Sequence, residues 1–297
     1  MPSNSCFYRT IKVPLEVITP ISTGLRFPES ADFALEQYSG AITLFGTIVK
    51  ASASSAAVLQ NIRTPGNYCG ETRMSLLKLF RRCVSLICDT ENTKKITKIS
   101  TRTIVENYGH DFKAIELLKA QFNSLSDAQR YALAAMLAEN DSRGQSGYML
   151  TGMFFDWFEA TFSGLYSIKG PRGAGKDIEL SSVYPKFQGS FPCDFVVTHV
   201  KSNKVVAVGF ARYDSTRGGA QSDDRTGGNA NKVDKAKAFC AETGEKIKII
   251  FLSDGPGLVH GDTWEEACIL DGLWDGNVRC TTLKLSQERI TANWLSS

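Results

Sequence analysis

Apolar positions in the first half of the chain recur mainly at helical spacing. Over Thr72–Cys88 they follow one another at intervals of three and four, which predicts an amphipathic helix. Two further helices are predicted over Asp111–Phe122 and Ser126–Glu139. The second of these begins with a capping box, because Gln129 follows Ser126 by three positions.

Two other segments of the first half are rich in β-branched residues and predict strands. They are Ala41–Lys50 and Lys94–Ile104, the latter as a strand or hairpin arm. The polar, glycine-containing segment Asn140–Gly147 is the best candidate in the chain for a boundary between two domains. We therefore expect a mostly helical N-terminal region with some strands over 1–145 and a second region over 146–297.

The second region alternates helical and strand-like segments. Two apolar segments on either side of the polar turn Lys201–Lys204 predict a β-hairpin. The order of elements predicts an α/β fold with three layers, in which helices flank a mixed sheet. In chain order, the predicted elements are a helix over Tyr148–Leu165, strands over Asp177–Val183, Pro192–Val200 and Val205–Tyr213, a Gly-rich loop over Ser215–Asn229, a helix over Ala230–Thr243 ended by Gly244, a strand over Lys246–Leu252, a helix from Thr263, a strand over Val278–Leu283 and a helix over Ser286–Leu295.

Composition narrows the class of protein. The chain has 297 residues, of which 42% are hydrophobic and 22% charged, enough for one large domain or two smaller ones. No apolar run reaches the roughly 18 residues of a membrane span. The eight cysteines are scattered without a Cys-x-x-Cys pair, so we expect no thiolate zinc site and a cytoplasmic location. The net charge of +3 says little about partners.

The predicted hairpin contains the first candidate site. Asp194 begins one strand, and Phe210, Arg212 and Asp214 share a face of the next. If the turn brings Asp194 beside Arg212, the carboxylate can hold Mg²⁺ and the cation can stabilise charge on phosphorus. An ordinary cross-strand ion pair is the alternative interpretation of the same residues.

Four segments around this hairpin carry a family resemblance: GPRGAGKDIEL, FPCDFVV, VVAVGFARYDSTRGGAQSDDRTGG and IIFLSDGPGL. Over Tyr148–Leu285 the chain resembles the PD-(D/E)XK nuclease superfamily and, within it, type II restriction endonucleases. The resemblance implies a restriction-endonuclease-like core, Mg²⁺-dependent site-specific cleavage of double-stranded DNA, a homodimer and a cognate DNA methyltransferase. Residues 1–145 would then serve DNA grip or dimerisation. Asp194 corresponds to the metal-binding aspartate, and Arg212 stands where the family has lysine.

The chain departs from the family pattern at Phe210, where an acidic residue is usual. The missing carboxylate must then come from another residue. The candidates are Asp177, Glu179, Glu159 and Asp214. Asp177 and Asp214 are the expected metal ligands beside Asp194, since Mg²⁺ needs only one or two protein carboxylates. Because arginine does not act as a general base, the metal or the substrate phosphate would activate the water.

The Gly-rich loop after the hairpin is the predicted base-reading element. Arg217 and Arg225 can bind guanine edges, and Gln221 or Asn229 can read adenine. A surface loop without a ligand is the alternative interpretation.

A second loop, GPRGAGK, includes Arg172 and Lys176, which we expect to contact the DNA backbone. It also matches the G-x-x-x-x-G-K pattern of nucleotide-binding proteins. That alternative is weaker because Asp177 replaces the required Ser or Thr and a strand-like segment follows. A DNA-binding relative without catalytic activity is the other alternative, because of Phe210.

Overall fold

The computed structural model describes residues 6–22, 24–139, 141, 144–216 and 223–297, the last range without the side chains of 223–227. The chain forms two compact units. One combines Met1–Thr23 with Gly144–Ser297, and the other is Gly24–Arg143. The division at Gly144 lies next to the predicted boundary. The first 23 residues, however, group with the C-terminal half rather than with the predicted N-terminal region.

The unit Gly24–Arg143 is helical throughout its regular elements. Helix α1 contacts α3, α6 and α7 and buries one face against them. The predicted capping box of α7 is confirmed, since Gln129 N–H donates to Ser126 Oγ at 3.3 Å and Ser126 N–H donates to Gln129 Oε1 at 3.0 Å. The helices are α1 Glu29–Ala51, α2 Ser55–Arg63, α3 Gly70–Cys83, α4 Thr90–Thr93, α5 Thr101–Tyr108, α6 Ile115–Asn123 and α7 Asp127–Ala138.

Both strands predicted in this unit are wrong. Ala41–Lys50 lies inside α1, where Ile42, Phe45 and Val49 are buried on one helical face. Lys94–Ile104 consists of turns and the start of α5. Strand propensity is a weak preference, and packing of the helical face against neighbouring helices outweighs it.

The second unit contains a mixed five-stranded sheet in the order β1-β4-β5-β6-β7. Strands β1, β4 and β5 are antiparallel neighbours, which confirms the predicted hairpin, whereas β5, β6 and β7 are parallel. A separate two-stranded ribbon pairs β2 with β3. The strands are β1 Tyr166–Lys169, β2 Ile178–Glu179, β3 Pro192–Cys193, β4 Phe195–His199, β5 Lys204–Tyr213, β6 Lys248–Asp254 and β7 Val278–Thr281.

Helices cover both faces of this sheet, so the unit is α/β, as predicted. Apolar residues of α8 and α14 pack on one face, and those of α10 and α11 pack on the other. Helix α10 is the crossover that parallel strands β5 and β6 require. The helices are α8 Gln145–Phe162, α9 Leu180–Val183, α10 Asp223–Thr243, α11 Gly261–Leu270, α12 Leu273–Gly276, α13 Ser286–Arg289 and α14 Ala292–Ser296. In the described part of the chain, no helix has the length and hydropathy to cross a bilayer.

Three elements of this unit differ from prediction. The first sheet strand is Tyr166–Lys169, and Asp177–Val183 divides between the ribbon strand β2 and helix α9. The predicted loop Ser215–Asn229 is partly helical, since α10 begins at Asp223. Each glycine inside a helix lowers the stability of that helix by about 1 kcal/mol relative to alanine. Burial of Val233 and other residues of α10 against the sheet outweighs that cost.

Candidate active site

Asp194 lies where the chain passes from the ribbon into the central sheet. Its N–H donates to Gly209 O at 3.0 Å, and its Oδ2 accepts the Ala211 N–H at 2.7 Å. The side chain is half-buried and lines a cavity of about 420 Å³. Gly170 packs against the backbone of Asp194, since a Cβ at residue 170 would lie 2.2 Å from Asp194 O. The backbone of β5 therefore holds this carboxylate at the cavity wall.

Lys232 of α10 lines the same cavity as Asp194. It is half-buried, and its Nζ lies 3.8 Å from the centroid of the Phe210 ring. Burial lowers the pKa of Lys232, while the charges of Asp194 and Asp177 oppose that shift. Phe210, the residue that replaces the expected acid, therefore contacts a cation through its ring face.

The pKa of Asp194 is raised above its ordinary value. Burial is the largest cause, and the negative charge of Asp177 adds to it, whereas the Ala211 hydrogen bond and the charge of Lys232 lower it. Asp194 and Lys232 thus line one cavity, and the charge of exposed Asp177 acts on the pKa of both. A desolvated carboxylate with charged neighbours in a cavity is typical of functional sites.

This raised pKa predicts a pH dependence of stability. Between the ordinary aspartate pKa of about 3.9 and the raised value, folded Asp194 binds more protons than unfolded Asp194. Its ionisation therefore lowers the free energy of unfolding as pH rises through that window. We expect Asp194→Asn to gain stability relative to wild type as pH rises from 4 to 7, measured by urea unfolding in EDTA. A constant difference would contradict the raised pKa.

Arg212 pairs with Asp214 rather than with Asp194. Its Nε donates to Asp214 Oδ1 at 2.7 Å, and its Nη2 contacts the same oxygen. Alternate residues of a strand share a face, so this pair is local to the end of β5. Asp214 is buried, and Gly257 N–H donates to its carbonyl at 2.7 Å. Arg212 and Asp214 nevertheless line the same cavity as Asp194.

Three of the predicted carboxylates do not line this cavity: exposed Asp177, and Glu179 and Glu159, which serve other contacts. Glu179 accepts the Phe191 N–H at 2.8 Å and the Ser190 hydroxyl at 3.0 Å, which closes the ribbon. Glu159 on α8 accepts Nη2 of Arg172 at 2.7 Å. Arg172, predicted to contact DNA, is thereby held at the surface of α8.

The predicted base-reading residues have different outcomes. Arg217 and Gln221 lie outside the described residues, and Arg225 lies in α10 with its side chain outside them. Asn229 is in α10, lines the cavity and donates from Nδ2 to Glu266 Oε1 at 3.0 Å.

The GPRGAGK loop lacks the helix that a nucleotide-binding loop requires. Exposed Lys176 precedes the ribbon strand β2 and the four-residue helix α9. The phosphate-binding version of this motif places phosphate at the N-terminus of a long helix. The nucleotide-binding interpretation of this loop therefore has no support in the fold.

Lys232 and Glu266 line the cavity but were not among the predicted site residues. One signal for Lys232 is present in the sequence. It lies four residues before Ala236 and seven before Phe239, both buried in the sheet-facing core. A lysine on the apolar face of an amphipathic helix points to an internal partner, because burying its charge alone is costly. We see no comparable signal for Glu266.

The donors near Asp194 fit a hydrated divalent cation. Among the described residues, no three His, Cys, Asp or Glu side chains are grouped to hold a metal, so Asp214 does not join Asp194 and Asp177 as a third ligand. Mg²⁺ keeps several waters and needs only one or two carboxylates. Asp194, a carboxylate at the cavity wall, meets this requirement by itself, and exposed Asp177 is the candidate for the second.

Comparison with known proteins gives no assignment. No family model, no curated protein and no solved structure matches this chain. The function of this chain must therefore be inferred from its own residues and their arrangement.

Proposed function

We propose that this protein is a Mg²⁺-dependent, site-specific endonuclease that hydrolyses phosphodiester bonds of double-stranded DNA, of the type II restriction-endonuclease kind. The main support is one observation: Asp194 and Lys232 line the same cavity beside the end of β5, and the charge of Asp177 influences the pKa of both. The succession α8, β1, β4, β5, α10, β6 also fits the restriction-endonuclease-like core that the sequence resemblance implies.

The proposed mechanism assigns a role to each of these charged groups. Asp194 and Asp177 would hold Mg²⁺, which when bound supplies an acidified water and neutralises phosphate charge. Lys232 donates hydrogen bonds to the scissile phosphate and stabilises the charge that develops on it, since its ammonium is already desolvated. Arg212, positioned by Asp214, adds positive charge at the same cavity.

DNA recognition and assembly belong to the same proposal. Arg217 and Gln221, which follow β5 in the sequence, and Arg225, near the start of α10, would read the bases. Cleavage of both strands of a palindromic site calls for a homodimer, because the two-fold symmetry of the site matches that of the protein. A DNA methyltransferase of the same restriction–modification system would protect the host sites.

The test is cleavage of long mixed-sequence DNA by the purified protein. We expect discrete fragments in Mg²⁺ and intact DNA in EDTA, resolved on a gel, with fragment ends that define one recognition sequence. Intact DNA in both conditions, together with a gel shift, would contradict cleavage. That result would favour a DNA-binding protein without nuclease activity, for which Phe210 at the acidic position is the specific observation.

A further inference from the structure

A second cavity lies at the far end of the sheet, away from Asp194. Its volume is about 820 Å³, and it is lined by the first residues of β5 and β6, the last turns of α10 and the start of α12. The proposed nuclease cavity is lined by the last residues of β5 and β6. Because β5 and β6 are parallel, the two cavities lie at opposite ends of the same strands.

The charge of this second cavity is predominantly positive. Lys204, Lys237, Lys246 and Lys248 line it, and Glu245 is the single acidic residue of the lining. None of the four lysines forms an ion pair with an Asp or Glu side chain in the described part of the chain. The C-terminal end of α10 adds only about half a negative charge. The cavity therefore has an excess of cations that an anionic ligand would neutralise.

Lys248 is the most informative of these residues because it is only 7% exposed. Its Nζ donates to Asn277 Oδ1 at 3.2 Å and to Ser297 Oγ at 3.0 Å, and both acceptors are neutral side-chain oxygens. An ammonium has three donors, and the third makes no hydrogen bond within the described residues, although the centroid of the Trp294 ring lies 5.3 Å from Nζ. Burial, and then the charges of Arg279 and Lys246, lower the pKa of Lys248. A buried cation beside other cations is costly without an anion.

The cavity also presents aromatic surface. Trp274 lines it and holds a left-handed backbone conformation, with φ 53° and ψ 51°. For a residue other than glycine this conformation costs on the order of 1–3 kcal/mol. Tyr166 lines the cavity as well. Aromatic faces beside cationic groups are the combination that binds a base together with its phosphate.

We propose that this second cavity binds a phosphate-bearing nucleotide, with its phosphate toward Lys248 and Lys237 and its base against Trp274. The nucleotide is either a free nucleotide or one unit of a nucleic-acid strand, since both offer the same groups. This site is separate from the proposed nuclease site and from the GPRGAGK loop.

The test is isothermal titration calorimetry of the full chain in EDTA, with ATP, dAMP and a 12-nucleotide single strand as probes. We expect at least one probe to bind, and Lys237→Met to weaken its binding about tenfold, the size of one lost charge-assisted hydrogen bond. Lys235→Met is the matched control, because Lys235 is also exposed on α10 but does not line the cavity. We expect its affinity to equal wild type.

Three outcomes decide the proposal. Binding of ATP or dAMP that Lys237→Met weakens identifies a free nucleotide as the ligand. Binding of the single strand alone, with the same loss in Lys237→Met, identifies a strand of nucleic acid. No binding of any probe, or equal losses in Lys237→Met and Lys235→Met, overturns the proposal. Because EDTA prevents Mg²⁺-dependent cleavage, each outcome is independent of whether Asp194 supports hydrolysis.

Discussion

Replacement of Asp194 by asparagine is expected to lower Mg²⁺-dependent DNA cleavage about a thousandfold, which corresponds to about 4 kcal/mol of transition-state stabilisation. Asparagine keeps an oxygen that can accept the Ala211 N–H, so the local geometry of β5 is preserved. It removes the negative charge that would hold Mg²⁺. The measurement is the initial rate of cleavage of a DNA fragment that carries one recognition site.

The same variant must be shown to fold and to bind DNA. Because burial disfavours the charged form of Asp194, we expect Asp194→Asn to be at least as stable as wild type at neutral pH. Asp234→Asn is the matched control, since Asp234 is exposed on α10 and outside the cavity. We expect wild-type cleavage from Asp234→Asn. Wild-type cleavage from Asp194→Asn would remove Asp194 from the mechanism.

Replacement of Lys232 by methionine is expected to lower cleavage about a hundredfold, in the range of a lost preorganised hydrogen-bond donor at a reacting phosphate. Methionine retains an unbranched apolar side chain that can pack on the Phe210 ring, so the contact between α10 and the sheet is preserved in part. Lys235→Met provides the control, because Lys235 is an exposed lysine of the same helix. Its cleavage rate is expected to equal wild type.

Lys232→Met has a second readout that a purely structural role would not give. Lys232 lowers the pKa of Asp194, so its removal is expected to raise that pKa further. The pH window in which ionisation of Asp194 lowers the free energy of unfolding then extends to higher pH, measured by urea unfolding in EDTA. If cleavage and this window both stay unchanged, Lys232 has no role in the site, and Arg212 becomes the cation to test.

Local pattern was sufficient for much of the fold. The intervals of three and four over Thr72–Cys88 predicted the helix found at Gly70–Cys83, and the polar turn at Lys201–Lys204 predicted the hairpin of β4 and β5. The Ser126 capping box was correct for the same reason. These features depend on residues close in sequence, whose hydrogen bonds and spacing do not require the rest of the chain.

Tertiary contacts decided the features that local pattern predicted wrongly. Ala41–Lys50 has strand-like composition, yet it is helical because α1 packs against α3, α6 and α7. Met1–Thr23 belongs to the same unit as the C-terminal half because distant segments contact each other. One such contact is the hydrogen bond from Thr19 N–H to Asp254 Oδ1, at 2.8 Å. The pattern of apolar positions within either segment does not predict a contact with the other segment.

Part of the candidate site could likewise be predicted from the sequence, and part was decided by tertiary contacts. From sequence alone, Asp194 and Arg212 could be placed on adjacent strands, because a hairpin relates residues near each other in the chain. The presence of Lys232 at the same cavity was decided by the crossover helix: α10 packs across the sheet and brings Lys232 over Phe210, while Arg212 turns to Asp214. Charge pairing across layers depends on how a helix lies on a sheet, and burial of apolar surface over the whole unit determines that arrangement.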